Sequence, residues 1–407
     1  MWLMAAAMAA WGCGSGGRTT GAPLDEDHDA SAEIVRDAAA GPGPDAASLL
    51  PGFDGGRPDA LPVPAQPDAG QPMDSDASWP VLQTGLPEYE LTVAQADLDL
   101  LNQQLDRALR VPASFVAAGS VYSVAAGYRG QSSMNFPKKS WEVEFGDTGP
   151  RFEGRKKVIL LAEWRDGGCL TTKLWNDLAL ARGVRAPWTR YVNLSLNGSR
   201  YGVMVEIEAV NRSFLAGHGF APESDLYRCG QNDCELRDMP PDPDQLPWEK
   251  KTNEAEPWDE LWKMLARLNR TPQHEVVSVI EADFELDAYL RWLAVDAAIS
   301  NAGVEDSRSY LVLDRATRRW TYVPWDLNNA LSLYSRTLPL DRTPPVGRPL
   351  FNYSAYDPRV PHFSVLNTRI ADDERLRSRF SAELDALLQT RFTDSEIGAR
   401  VDAMAAL

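Results

Sequence analysis

The chain has 407 residues, 44% of them hydrophobic and 24% charged, enough for one large or two ordinary domains with a substantial core. Its 41 basic and 58 acidic side chains leave a formal charge of -17, which argues against a phosphate-backbone binder and excludes nucleic acid as the expected partner. After the extreme N-terminus there is no apolar run of about eighteen residues, so the body of the chain is not expected to span a bilayer.

The negative charge is concentrated near the start. Between residues 14 and 80, twelve acids face three arginines in a stretch dense in Pro, Gly, Ala and Ser. That composition buries too little apolar surface to offset the entropy of ordering, so a disordered linker is expected. Ahead of it, residues 1–13 (MWLMAAAMAAWGC) end in Gly12-Cys13. This run resembles the end of a bacterial lipoprotein signal, in which the cysteine is lipidated and ties the protein to a membrane. Trp11 occupies a place usually held by a small residue, and no Lys or Arg precedes the run. The expectation is a protein of the bacterial cell envelope, anchored through Cys13 or secreted. Its folded domain is expected over 81–407, beginning near Trp79. Cysteine usage agrees with export: Cys229 and Cys234 flank a turn-forming tetrapeptide and could close a small disulfide loop. A lone C-x4-C is a weak zinc motif, Cys169 reads as a small apolar residue, and four His offer no imidazole metal cluster.

The rest reads as mixed α and β. Tyr89–Val93 is a strand, and residues 96–110 form an amphipathic helix. Strands follow at Ser120–Tyr128, Ser140–Phe145 and Val158–Leu161. A helix carrying Leu174, Leu178 and Leu180 closes at Gly183. Asn197-Gly198 between Arg190–Leu196 and Tyr201–Glu208 is a strong hairpin signal. From about 256 to 300 the pattern is helical, with Thr271-Pro272 as a stop between two helices. Tyr310–Leu313 and Trp320–Val323 form a second hairpin around DRATRR. Residues 335–365 look like a surface excursion, and a helical C-terminus has Thr393-Asp394-Ser395 as an N-cap.

An antiparallel hairpin brings the residue before its first strand and the residue after its second to one end. Asp306 and Asp326 hold those places around the second hairpin. Two carboxylates so placed suit a divalent cation with oxygen ligands, magnesium with substrate phosphates above all. The plainer reading is that each aspartate caps a turn.

In order and spacing, GYRGQSSMNFPKKSWEVEF, NLSLNGSRYGVMVEIEAVNRSFL, SDLYR and YLVLDRATRRWTYVPWDL resemble the CotH kinase-like proteins, the spore-coat protein H family, over roughly residues 86–400. The resemblance implies an α+β, atypical protein-kinase-like fold with an antiparallel sheet lobe and a largely helical lobe. It also implies transfer of phosphate from ATP to Ser/Thr hydroxyls of a protein substrate, with Mg or Mn. Carried over by position, Asp306 matches the catalytic aspartate that accepts the hydroxyl proton, and Asp326 the metal-binding one. Lys138 or Lys139 would reach the phosphates, with Arg129 and Gly130 lining the same pocket, and Glu208 would position a cation. Strand alternation places Lys139 with Trp141, Val143 and Phe145, and Lys138 with Glu142 and Glu144; Lys139 is favoured if the aromatic face lines the nucleotide cleft. Three positions depart from the family pattern: Ser309 replaces an Asn metal ligand, Asn328 replaces a second acid, and Arg228 replaces a Lys. Fewer anionic ligands weaken metal binding. The alternatives are therefore a pseudokinase serving as an envelope binding module, and a kinase-fold transferase that moves AMP or an amino acid.

Overall fold

In β1 (Glu88–Val93) the side chains of Tyr89, Leu91 and Val93 are buried while those of Glu88, Glu90 and Thr92 are exposed, the alternation of a strand with one face on a core. The structure, a computed structural model, describes residues 77–164, 166–229, 236–238, 247–299, 301, 309–332 and 364–407. After β1 come α1 (Gln95–Gln103), β2 (Val111–Ala117), β3 (Ser120–Arg129), β4 (Ser140–Phe145), β5 (Lys157–Leu161), α2 (Thr171–Ala181), β6 (Thr189–Leu196) and β7 (Ser199–Ile207). The seven strands close into a barrel in the order β1-β2-β3-β4-β5-β7-β6. All neighbours are antiparallel except β1 and β6, which pair in parallel. Closure was not part of the sequence expectation of a sheet lobe; it removes the free strand edges that such a lobe would expose. Tyr89, Phe115, Tyr122, Phe145 and Phe152 pack edge to face with centroids 5.1–6.1 Å apart for all but the tilted Phe115–Tyr122 pair, and each such pair adds roughly 0.5–1.5 kcal/mol beyond area burial.

A second, antiparallel sheet has the order β11-β10-β8-β9, from β8 (Asp225–Cys229), β9 (Trp248–Lys250), β10 (Tyr310–Leu313) and β11 (Trp320–Val323). It lies among α3 (Arg212–Gly217), α4 (Asp259–Arg270), α5 (Gln273–Asp283), α6 (Leu286–Ala298), α7 (Val365–Asp372), α8 (Glu374–Thr390) and α9 (Asp394–Ala405). Tyr322 stacks on Trp292 of α6 at 5.9 Å. An apolar cluster of Ile159, Ile207, Leu226, Val312, Val323 and Trp325 joins this sheet to the barrel. The mixed α+β class expected from the sequence is what the chain adopts.

Local signals explain most boundaries. Asn197 and Gly198 have φ of +50° and +74°, the left-handed pair a two-residue hairpin needs, and the Asn197 amide exchanges two 2.8 Å bonds with the backbone of Val93. Gly183, at φ +67°, closes α2, where the Val184 amide donates to the Ala179 carbonyl. Thr393 caps α9 through the Glu396 amide. α1 ends at Gln103 rather than 110, because Asp106 folds the next residues into a turn by accepting from Ala108 N. α4 stops at Arg270 with Thr271 as its C-cap, as the Thr271-Pro272 signal predicts, and Pro272 is then the N-cap of α5, where its missing N–H costs nothing. Cys169 is disulfide-bonded, as is Cys229, so its expected role as a simple apolar residue is corrected. Cys13, Cys234, residues 1–76 and the excursion over 335–363 lie outside the described residues.

Candidate functional site

The β10–β11 hairpin forms as the sequence predicts, with Tyr310 opposite Val323 and Leu313 opposite Trp320. Asp306 lies outside the described residues, so its convergence with Asp326 has no geometry here. Asp326 follows the buried Pro324-Trp325 pair and is half-buried, with φ +63°. A non-glycine residue holds that conformation only where its surroundings impose it. The next residues enter a 3-10 turn (Leu327–Ser332) anchored by buried Leu327 and Ala330.

The barrel supplies the cations. Lys138 and Lys139 immediately precede β4. Lys139 turns back on its own loop, donating to the Met134 carbonyl at 2.5 Å and lying 5.8 Å over the Tyr128 ring. Lys138 donates to the Val203 carbonyl at 2.5 Å. Burial pushes its ammonium down to about 8, with Glu163 pulling the other way. Of the two lysines, Lys138 is the one that interacts electrostatically with Glu163. Gly202 is the nearby β7 residue; a Cβ there would come within 3.8 Å of the Lys138 Nζ.

Glu163 is the functional candidate that sequence reasoning missed. It lies two residues past β5, with φ +46° and its side chain 7% exposed. Its Oε1 accepts from the Thr172 hydroxyl at 2.8 Å, while Oε2 is buried with no hydrogen-bond partner. Burial pushes its carboxyl up to about 8; the Thr172 bond opposes this, Asp166 and Asp326 reinforce it, and Lys138 opposes it. An acid at the end of the apolar run Val158–Ala162 was the available signal. Asp166, three residues on, is committed to structure: its Oδ2 takes Leu170 N, Thr171 N and the Thr171 hydroxyl at 2.7–2.8 Å, and its Oδ1 takes Gly168 N.

The remaining predicted residues are more dispersed. Arg129 pairs with Glu142 and lies 5.6 Å over the Trp325 ring, next to Asp326. Glu142 also binds Arg110 and Lys157; burial works to raise its carboxyl, and Arg129 and Lys157 together hold it well below the usual range. Gly130 has φ +128°, and a Cβ there would meet the Ser133 hydroxyl at 1.9 Å, so the turn after Arg129 requires glycine. Glu208 accepts from Trp188 N at 3.3 Å and meets the His218 ring at 3.0 Å. Arg228 of β8 pairs with Glu249 at 2.8 Å. Ser309 is fully buried at the head of β10, its carbonyl taking Cys229 N and its hydroxyl without a partner. Asn328 is half-buried in the turn after Asp326.

Among the described residues no three His, Cys, Asp or Glu side chains group as a metal site. Glu163 and Asp326 still offer hard oxygen donors, one of them an orphaned buried atom, which fits a divalent cation completed by nucleotide oxygens.

The family model described as CotH kinase protein matches residues 126–407, and the chain belongs to that family. It is also similar to the Inner spore coat protein H of Bacillus subtilis (strain 168), at 26% identity over 327 residues, covering 79% of this chain and 86% of that protein.

Proposed function

We propose that the chain is an ATP- and divalent-metal-dependent transferase of kinase-like fold that phosphorylates Ser/Thr hydroxyls of a protein substrate. The observation that carries this reading is the buried Glu163 carboxyl, whose Oε2 has no partner and on which Lys138 of the barrel and Asp326 after the β10–β11 hairpin both act electrostatically. Mg or Mn, when bound, neutralises phosphate charge and holds the oxygens in line. Lys138 is placed to stabilise charge on the nucleotide phosphates, and its partial desolvation strengthens that interaction. Asp326 serves as an anionic ligand, Arg129 braces the Trp325 turn that presents it, and Asp306 accepts the hydroxyl proton. Incubation with labelled ATP and Mn should label a protein acceptor, and Asp306→Ala and Asp326→Ala should each abolish labelling. Undiminished labelling in both variants removes these residues from the mechanism.

One observation favours a second reading, a pseudokinase binding module: neutral Ser309 and Asn328 stand where the family pattern has an Asn ligand and a second acid, and fewer anionic donors weaken cation binding. ATP-dependent stabilisation without transfer would select it. For location, disulfide bonding of Cys169 and Cys229 supports an oxidising compartment, and similarity to an inner spore coat protein supports a coat or envelope setting. Lipid attachment at Cys13 is proposed on its sequence alone. No helix among the described residues is long and apolar enough to cross a membrane.

A further inference from the structure

Two geometric observations single out Glu163, and the inference from them rests on the metal-dependent reading above. The first is an unused oxygen. With Oε1 engaged by Thr172, the buried Oε2 has no partner. An uncompensated buried carboxylate oxygen is costly and calls for a group to meet it. Asp166 cannot play the same part, because its oxygens already hold the N-terminus of α2 and the turn before it.

The second observation is place. The Trp325 ring lies 5.6 Å from Arg129. Arg129 stands opposite Ser140 in the β3–β4 ladder, and the Ser140 hydroxyl takes the Ala162 amide at 3.0 Å. The residues immediately before Asp326 and before Glu163 therefore hang on one rung of the barrel. Both acids then turn through left-handed backbone, φ +46° and +63°, a conformation that costs of order 1–3 kcal/mol at a non-glycine residue and concentrates at functional sites.

We propose that Glu163, together with Asp326, is an oxygen ligand for the divalent cation that accompanies the nucleotide. The second carboxylate then comes from the end of β5 rather than from the turn after the β10–β11 hairpin, where this chain carries neutral Asn328. Thr172, donating to Oε1, is the positioning residue that leaves Oε2 directed to the ion. Such a pair, with nucleotide oxygens and water filling the other positions, suits Mg or Mn rather than zinc.

The test is direct Mn2+ binding to the full chain in the presence of a non-hydrolysable ATP analogue, read by the electron paramagnetic resonance signal of free Mn2+. Glu163→Gln should weaken binding at least about ten-fold, a loss on the scale of a disrupted metal shell. The glutamine keeps an acceptor for Thr172 and removes the buried charge, so the melting midpoint without metal should hold or rise while its Mn-dependent increment falls. Glu163→Asp, which keeps the charge on a shorter arm, should bind Mn2+ more tightly than Glu163→Gln. Equal Mn2+ affinity in wild type and Glu163→Gln, with binding lost in Asp326→Asn, overturns the role of Glu163 and leaves the metal-dependent reading intact. Absence of Mn2+ binding in the wild type overturns both.

Discussion

Two buried glutamates of this molecule have opposite surroundings. Glu206 in β7 is fully buried, yet every oxygen is met: Arg155 and Tyr89 reach it, and Arg190 donates at 2.7 Å. Burial works to raise its carboxyl, but Arg155 and Arg190 outweigh it and hold it low. Both arginines also stack on Phe152 and Trp188 at 4.9–5.8 Å. Glu163 has one hydroxyl donor, an orphan oxygen and acids as neighbours, and its carboxyl rises. A satisfied buried charge holds a fold together, whereas an unsatisfied one is retained for what it binds.

Replacing Glu206 should break the comparison on the structural side. Glu206→Ala removes the buried carboxylate that Arg155 and Arg190 share and leaves both to Glu153, and denaturant melts should show a loss of about 3 kcal/mol. A loss below 1 kcal/mol would mean the network is solvated in practice.

The pH dependence should separate the two sites by sign. The raised carboxyl of Glu163 contributes stability that is fully present below the unfolded value, near 4.3, and is lost as pH climbs through about 8. Its contribution should fall by at most about 1.4 kcal/mol per pH unit across that window, and Glu163→Gln should flatten the fall. For Glu206, held low, the contribution is present above the unfolded value and is lost on acidification. Chemical denaturation of wild type and Glu163→Gln at pH 5 and pH 8 measures this; parallel curves would contradict the assignment.

The smaller effects concern the lysines. Lys138→Met should weaken ATP binding about ten-fold, or about 1.4 kcal/mol, while Lys139→Met should change it little, as measured by calorimetry. The reverse order would restore the alternation argument.

That argument shows where the sequence was legible and where it was not. The Asn197-Gly198 hairpin, the Thr393 cap, the Gly183 stop and the β10–β11 pair are written in local chemistry and are found where expected. Alternation puts Lys139 on the Trp141 face, where it lies over Tyr128, but which of the two faces meets Glu163 is set by tertiary packing that no sequence period records. Pro112 and the broken pattern around it hide β2, and the β-branched run in α5 (Val276, Val277, Val279, Ile280) masks a helix. Asp326 was legible because a hairpin is local. Glu163 was not, because its electrostatic coupling to Asp326 arises only in the folded chain, where Arg129, Ser140 and Ala162 link the two segments.

The central claim is that the junction holding Lys138, Glu163 and Asp326 is a metal–nucleotide site. The most direct measurement is the melting midpoint titrated with ATP plus Mn, in wild type and Asp326→Asn. A midpoint that rises with ligand concentration in wild type, and stays flat in Asp326→Asn, is the predicted result. An equal rise in both proteins would place the nucleotide elsewhere and contradict the account.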